Sequence, residues 1–183
     1  PAKDFFERVK AMPDVPIHIV ADAEAKVTIK AVGQKRTYTI SGIAGNDFPE
    51  IPPPPSGAMS IALTVEAFAL LMSRTHFSIC LDATRPNVNS ALFECEGSLV
   101  RMVSTDGHRL TKQEVAAVDV GHASALIPIR AIAELRRLMS EAKTGTLTIR
   151  LSSTTAFFDV GGLLFSCKLI DAMFPPYAQV IPK

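Results

Sequence analysis

"PIRAIAELRRLM" (Pro128–Met139) repeats "PAKDFFERVKAM" (Pro1–Met12) in register. Pro128 answers Pro1, Arg130 answers Lys3, Glu134 answers Glu7, Arg137 answers Lys10 and Met139 answers Met12. Phe5 and Val9 in the first copy, and Ile132, Leu135 and Met139 in the second, recur at helical spacing. A proline suits the first turn of a helix, where its missing N–H would have no partner in any case. Such self-similarity predicts a fold assembled from repeated supersecondary units.

The segments after each helix repeat as well. "IHIVAD", "KVTIKAV" and "RTYTISG" read as three strands, with a turn at Gly33-Gln34. "TLTIRLS", "AFFDV" and "LLFSCKL" read as three more, with Gly161-Gly162 as a hairpin turn. Each copy then reaches Phe-Pro (Phe48-Pro49, Phe174-Pro175) and closes on Ile-Pro (Ile51-Pro52, Ile181-Pro182). A variant unit stands between them. "MSIALT" is a strand, and Thr64 caps a helix from Val65 to about Arg74. "VNSALFECEG", "SLVRMVST" and "GHRLTKQEV" then read as three strands. The series predicts an α+β architecture, with antiparallel sheets and the helices on one face. The proline stretch at residues 50–57 is a stiff linker. Residues 58–183 hold two units and form a complete domain, whereas 1–49 hold one unit, half of a domain. The opening on Pro1, without an initiator methionine, agrees with a piece of a longer chain.

Composition narrows the function. A chain of 183 residues, 48% hydrophobic with both charge signs mixed, is folded and globular. The net charge of +1 carries no general attraction for nucleic acid, so any such binding needs cations gathered on one face. Cys80, Cys95 and Cys167 are odd in number and widely spaced, which reads as reduced, buried thiols of a cytoplasmic protein. The apolar runs are too short to span a bilayer. His18, His76, His108 and His122 lack metal-ligand spacing, and no nucleotide-binding glycine loop or nucleophile elbow is present. No metal and no cofactor are expected.

The densest polar cluster is "TDGHRL" (Thr105–Leu110), between two segments that alternate like strands. Asp106 and His108 could serve as acid and base on a small polar substrate. The plainer reading is a tight Asp106-Gly107 turn, whose Thr105 and Asp106 bond the local backbone and leave His108 and Arg109 exposed. On the helices, Lys3, Glu7 and Lys10 share one face, as do Arg130, Glu134 and Arg137. The plain reading there is a solvated face with ion pairs of about 0.2–0.5 kcal/mol each.

"LDATRPNVNSALFE" (Leu81–Glu94), then "MVSTDGHRL" (Met102–Leu110), then the Phe-Pro-Pro-Tyr loop at Phe174–Tyr177 resemble the bacterial DNA polymerase III beta subunit, the sliding clamp. The resemblance runs along nearly the whole chain. It implies the DNA-clamp fold, with this chain matching the second half of a first domain and an entire middle domain. It implies a non-enzymatic processivity factor: a homodimeric ring around duplex DNA, cytoplasmic and nucleoid-associated, with no membrane contact. DNA polymerase, the clamp loader and repair proteins would dock by short peptides in a hydrophobic groove. Matched residue by residue, that groove takes Val88, Thr105, Gly107, His108, Arg109 and Leu110 on one wall, and Pro175, Gln179 and Val180 on the other. Val88 stands where the family usually has leucine, and Gln179 where it often has arginine. Lys3, Lys10, Arg130 and Arg137 would face DNA phosphates without reading bases. Arg85 and Asn87 would touch DNA near the channel rim, Asn87 replacing an aromatic of some relatives. Tyr38 and Ile40 fall on the strand that joins protomers. Two other readings stand beside this one: an enzyme working through Asp106 and His108, and a free-standing peptide-binding module.

Overall fold

The structure is a computed structural model and describes residues 2–50 and 52–181. It divides into two compact units, Pro1–Ile51 and Pro52–Lys183. The matched residues Pro1, Ile51 and Pro182 lie outside the described residues.

In the first unit, helix α1 (Ala2–Lys10) precedes β1 (Ile17–Ala21), β2 (Lys26–Ala31) and β3 (Thr37–Ser41). The strands form one antiparallel sheet in sequence order. Ile29, Ala31 and Ile40 are its buried side chains, and α1 buries none of its own. Phe6 stays 63% exposed. A lone helix on a three-stranded sheet has no second helix to cover its outer flank. The pair formed on α1 is Asp4 with Arg8, 3.4 Å apart, and Lys10 sits over the Phe6 ring at 6.0 Å. Backbone bonds from Ala31 N to Arg36 O and from Gly42 N to Ala25 O set the parity of β3. Arg36, Tyr38 and Ile40 therefore turn their backbone groups toward β2, and Thr37, Thr39 and Ser41 turn theirs to the open edge. Ile40 is only 6% exposed and the Arg8 guanidinium lies 5.4 Å from the centre of the Tyr38 ring. The side chain of Ile40 is thus committed to the unit's own core. The free feature of β3 is its backbone.

The second unit contains β4 (Met59–Thr64), α2 (Val65–Thr75), β5 (Ser90–Thr105), β6 (Leu110–Pro128), α3 (Ile129–Ala142), β7 (Thr146–Leu151), β8 (Thr155–Val160) and β9 (Leu163–Lys168). Thr64 caps α2, its hydroxyl accepting from Ala67 N at 3.1 Å. Val65, Phe68, Leu71 and Met72 form the buried face of α2, and Ile132, Leu135 and Met139 that of α3, as the spacing predicts. Pro128 caps α3 in an extended conformation (ψ 148°) and does not begin it. Phe68 is fully buried and meets Phe158 at 5.7 Å and Phe93 at 6.3 Å between ring centres. Gly161 and Gly162 form the two-residue β8–β9 turn with φ of 57° and 82°, the positive values that such a hairpin requires.

Two expectations are corrected by the fold. The segments "VNSALFECEG" and "SLVRMVST" are one strand, β5, whose register shifts between Gly97 and Leu99. Its partner β6 continues well beyond the expected "GHRLTKQEV", pairing Gly121–Pro128 with Gly97–Ser90 after residues 117–120 bulge out. The extension was hidden by small residues of low strand preference, Ala116, Ala117, Ala123 and Ser124, and by Asp119-Val120-Gly121, which reads as a turn. The second correction is topological. β4 pairs with β7 in a sheet of order β4-β7-β8-β9, so the strand before α2 belongs to the sheet that comes after α3. No helix among the described residues is long and apolar enough to cross a membrane.

Candidate functional site

The turn Asp106–Arg109 joins β5 to β6, and the side chains of Thr105 and Asp106 are absorbed by its backbone. Asp106 Oδ1 accepts from His108 N and Arg109 N, each at 3.0 Å, and Oδ2 accepts from Arg109 Nε at 2.9 Å. Thr105 Oγ1 accepts from Gly107 N at 3.1 Å and donates to Arg109 O at 2.7 Å. Gly107 has φ of 95°, a conformation that a side chain would strain. Arg85 reaches the turn from the 81–89 loop and donates to Asp106 O at 3.3 Å. His108 and Arg109 are exposed. Asp106 touches the backbone of His108 and not its ring, so the two do not form an acid–base pair.

The two backbone N–H bonds, from His108 first and Arg109 second, hold the Asp106 carboxyl at about 2, below its ordinary 3.8. A carboxylate so acidic is a poor proton acceptor near neutral pH. Because the folded value lies below the unfolded one, the turn keeps this contribution in full above about pH 4. It loses the contribution as pH falls from about 4 to about 2. We expect the Asp106 carboxyl carbon to titrate in an NMR series with a midpoint near 2, and an ordinary midpoint near 4 would contradict the turn geometry. Burial raises the thiols of Cys95 and Cys167 to about 11, so neither is an activated nucleophile.

Beneath the turn, a knot of hydroxyls ties the hairpin to the end of α2. Ser104 Oγ donates to Thr75 O at 2.5 Å, Thr111 Oγ1 to the same carbonyl at 3.3 Å, and the two hydroxyls are 3.1 Å apart. Thr75 C=O thus receives one donor from each strand, and the base of the turn is fixed against a helix end.

The second segment, Phe174–Val180, returns across β5 and β6. Leu92, Val103 and Leu126 form a small buried cluster, and Leu110, Ile170, Phe174 and Tyr177 pack against it. Leu110 from the turn and Phe174 and Tyr177 from the loop therefore meet on one apolar floor. Tyr177 OH donates to Glu94 Oε2 at 2.7 Å. Burial first, and the Glu94 carboxylate second, raise the phenol to about 12. A cavity of about 570 Å³ opens beside the loop, lined by Leu92, Glu94, Leu126, Phe174, Pro175 and Tyr177 among others. A second, of about 360 Å³, lies where Arg109 meets Phe77, Leu81, Ile132 and Arg136.

The predicted residues divide accordingly. Thr105, Gly107, His108, Arg109 and Leu110 are together at the β5–β6 turn, and Pro175, Gln179 and Val180 are on the 174–180 loop, with Val180 68% exposed; neither cavity is lined by residues of both segments. Val88 is corrected: at 1% exposure it supports its loop from inside, accepting from Cys80 N through its carbonyl, and offers a ligand no surface. Lys3, Lys10, Arg85 and Arg130 are exposed and Asn87 is half-buried. Arg137 is also exposed, but its guanidinium is divided between Glu134 at 2.6 Å and Glu141 at 2.5 Å, so less of its charge is free for another anion. Glu94, Thr75, Ser104 and Thr111 were missed; their roles depend on pairings between strands that no local motif announces.

The sequence profile described as DNA polymerase III beta subunit, central domain, matches residues 62–176. The beta sliding clamp of Pseudomonas putida is 33% identical over 186 residues, and that of Proteus mirabilis 30% over 188; each comparison takes in all of this chain and 49% of the relative. The chain therefore spans about half the length of the relatives it matches. Among solved structures, a sliding clamp from Pseudomonas aeruginosa bound to griselimycin superposes with a TM-score of 0.88 at 30% identity, over all of this chain and 49% of that one. The profile, the relatives and the superposition agree with the helix-and-sheet units seen here, and the chain belongs to the DNA polymerase III beta subunit family.

Proposed function

We propose that this chain is part of a non-enzymatic sliding clamp that encircles duplex DNA and holds polymerase and other partners by short peptides. The observation that carries the reading is the packing of Leu110, Phe174 and Tyr177 on one apolar cluster, with the exposed His108 and Arg109 next to Leu110 in the chain. A peptide groove needs an apolar base and a few placed polar groups, and no activated nucleophile. The groove comprises Thr105, Gly107, His108, Arg109 and Leu110 facing Pro175, Gln179 and Val180, with Val88 as internal support. The enzyme alternative is disfavoured by Asp106, whose oxygens are engaged by the turn.

Lys3, Lys10 and Arg130 supply sequence-independent contact with phosphate, and Arg137 contributes less because of its two carboxylate partners. Arg85 and Asn87 meet DNA at the rim. The first unit is the second half of a clamp domain and the second unit a complete middle domain. In the whole protein, β3 continues a sheet between protomers through its open backbone edge. For this chain the same edge predicts self-association at high concentration. Thr39→Pro removes an outward N–H without breaking a β2–β3 bond, so it is expected to suppress the association in light scattering. A wild type that stays monomeric at every concentration excludes the edge as an interface.

The direct test of the groove is a titration of a fluorescein-labelled tetrapeptide of glutamine, two leucines and phenylalanine, read by anisotropy. Two buried large apolar side chains contribute roughly 3–6 kcal/mol before association costs, so the expected Kd is between about 10 μM and 1 mM. Griselimycin, which the Pseudomonas aeruginosa relative binds, is expected to compete. Absence of saturable peptide binding contradicts the proposal.

A further inference from the structure

We propose that Tyr177 and Glu94 are positioning residues, a latch that fixes the 174–180 loop so that it can serve as a groove wall. This inference rests on the peptide-binding reading above. Within Asp171–Ile181 the backbone bonds are short-range: Gln179 N donates to Pro176 O and Val180 N to Tyr177 O. These bonds shape the loop but tie it to nothing else. The bond from Tyr177 OH to Glu94 Oε2 joins this loop to β5, and the Arg101 guanidinium stands beside the same phenol. The Tyr177 ring stands edge-on to Phe174 at 6.3 Å, and both rings press on the Leu92–Val103–Leu126 cluster.

Apolar contact alone leaves a ring free to slide, because dispersion has little directional preference. A hydrogen bond to a charged, half-buried acceptor has direction, and it sets where along β5 the ring stops. Glu94 is itself placed by the long hairpin, opposite Ser124. Arg101, further along the same strand, pairs with Glu96 at 2.9 Å and Glu114 at 3.0 Å and also stands beside the Tyr177 phenol, where its charge partly offsets that of the Glu94 carboxylate. A cavity of about 570 Å³ lies against the loop, so the packing there is open and the loop has space to shift if the bond is lost. Pro175, Gln179 and Val180 would move with it, although neither latch residue need touch a ligand.

The test is a double-mutant cycle with the same labelled tetrapeptide, on the full chain. Glu94→Gln keeps an acceptor oxygen and should bind within about twofold of wild type. Glu94→Ala and Tyr177→Phe should each weaken binding about fivefold to tenfold, and the double variant should be no weaker than either single one, since all three lose one shared bond. Amide exchange of residues 174–181 should quicken in the two single variants and stay normal in Glu94→Gln. A Tyr177→Phe variant that binds as wild type, or a double variant whose losses add, overturns the latch while leaving the groove intact. Unchanged exchange in Tyr177→Phe overturns it as well. If wild type binds no peptide, the peptide-binding reading fails and this inference falls with it, whatever the exchange shows.

Discussion

Leu110→Asp is expected to weaken tetrapeptide binding by at least about 100-fold. Leu110 is the first residue of β6, half-buried against the floor that it shares with Leu92, Val103, Leu126, Phe174 and Tyr177. The substitution removes most of a leucine's contact, worth roughly 1.5–3 kcal/mol, and leaves a carboxylate that a bound peptide would strip of water. About 2.7 kcal/mol already corresponds to 100-fold. Because Leu110 lies outside the main core, circular dichroism should stay close to wild type. Asp106→Asn is the control. Its side-chain oxygen can still accept from one turn N–H, and the peptide does not need its charge, so binding should change by less than about threefold. A Leu110→Asp chain that binds as well as wild type would falsify the groove assignment.

Phe68→Ala should have the largest effect on stability, a loss of about 3–5 kcal/mol in urea denaturation of the second unit. The ring is fully buried at the junction of α2 with both sheets, in contact with Phe93 and Phe158. Three close-packed elements cannot all collapse into the space it leaves, so a cavity remains. Val180→Ala, at a side chain that is 68% exposed, should change stability by less than about 0.5 kcal/mol. Similar losses at the two positions would mean that Phe68 is not where the core is densest.

Helices α2 and α3 were legible because each sets a 3.6-residue apolar stripe against the core, and Thr64 announces the start of α2 by its own chemistry. The Gly161-Gly162 hairpin was legible for a similar reason: only glycine takes both positive φ values without strain. Strand β6 was half-read, since a run of alanines carries no alternation strong enough to outweigh a turn-like Asp119-Val120-Gly121. The pairing of β4 with β7 was not legible at all, because register between distant strands is decided by packing and leaves no local trace. The site obeyed the same rule. Thr105 and Asp106 act on neighbours within a few residues, so the turn could be predicted from its letters. Tyr177 acts on Glu94 across β5, and Ser104 and Thr111 act on the end of α2, so these bonds appear only when the chain is folded.

That same β4–β7 pairing has a kinetic meaning. The β5–β6 hairpin closes through a four-residue turn, and the β8–β9 hairpin through two glycines, so both can form early and independently. β4 must wait until α2, the whole hairpin and α3 have been made before its partner exists. Closing so long a loop is entropically unfavourable, and the reward arrives only at the end. Until then β4 carries Ile61 and Leu63 on an unpaired strand, the segment most open to wrong partners. Once made, the pairing clasps the first strand of the unit to the sheet that follows α3. The unit is therefore expected to unfold as one cooperative body, although its sequence is written as two repeats.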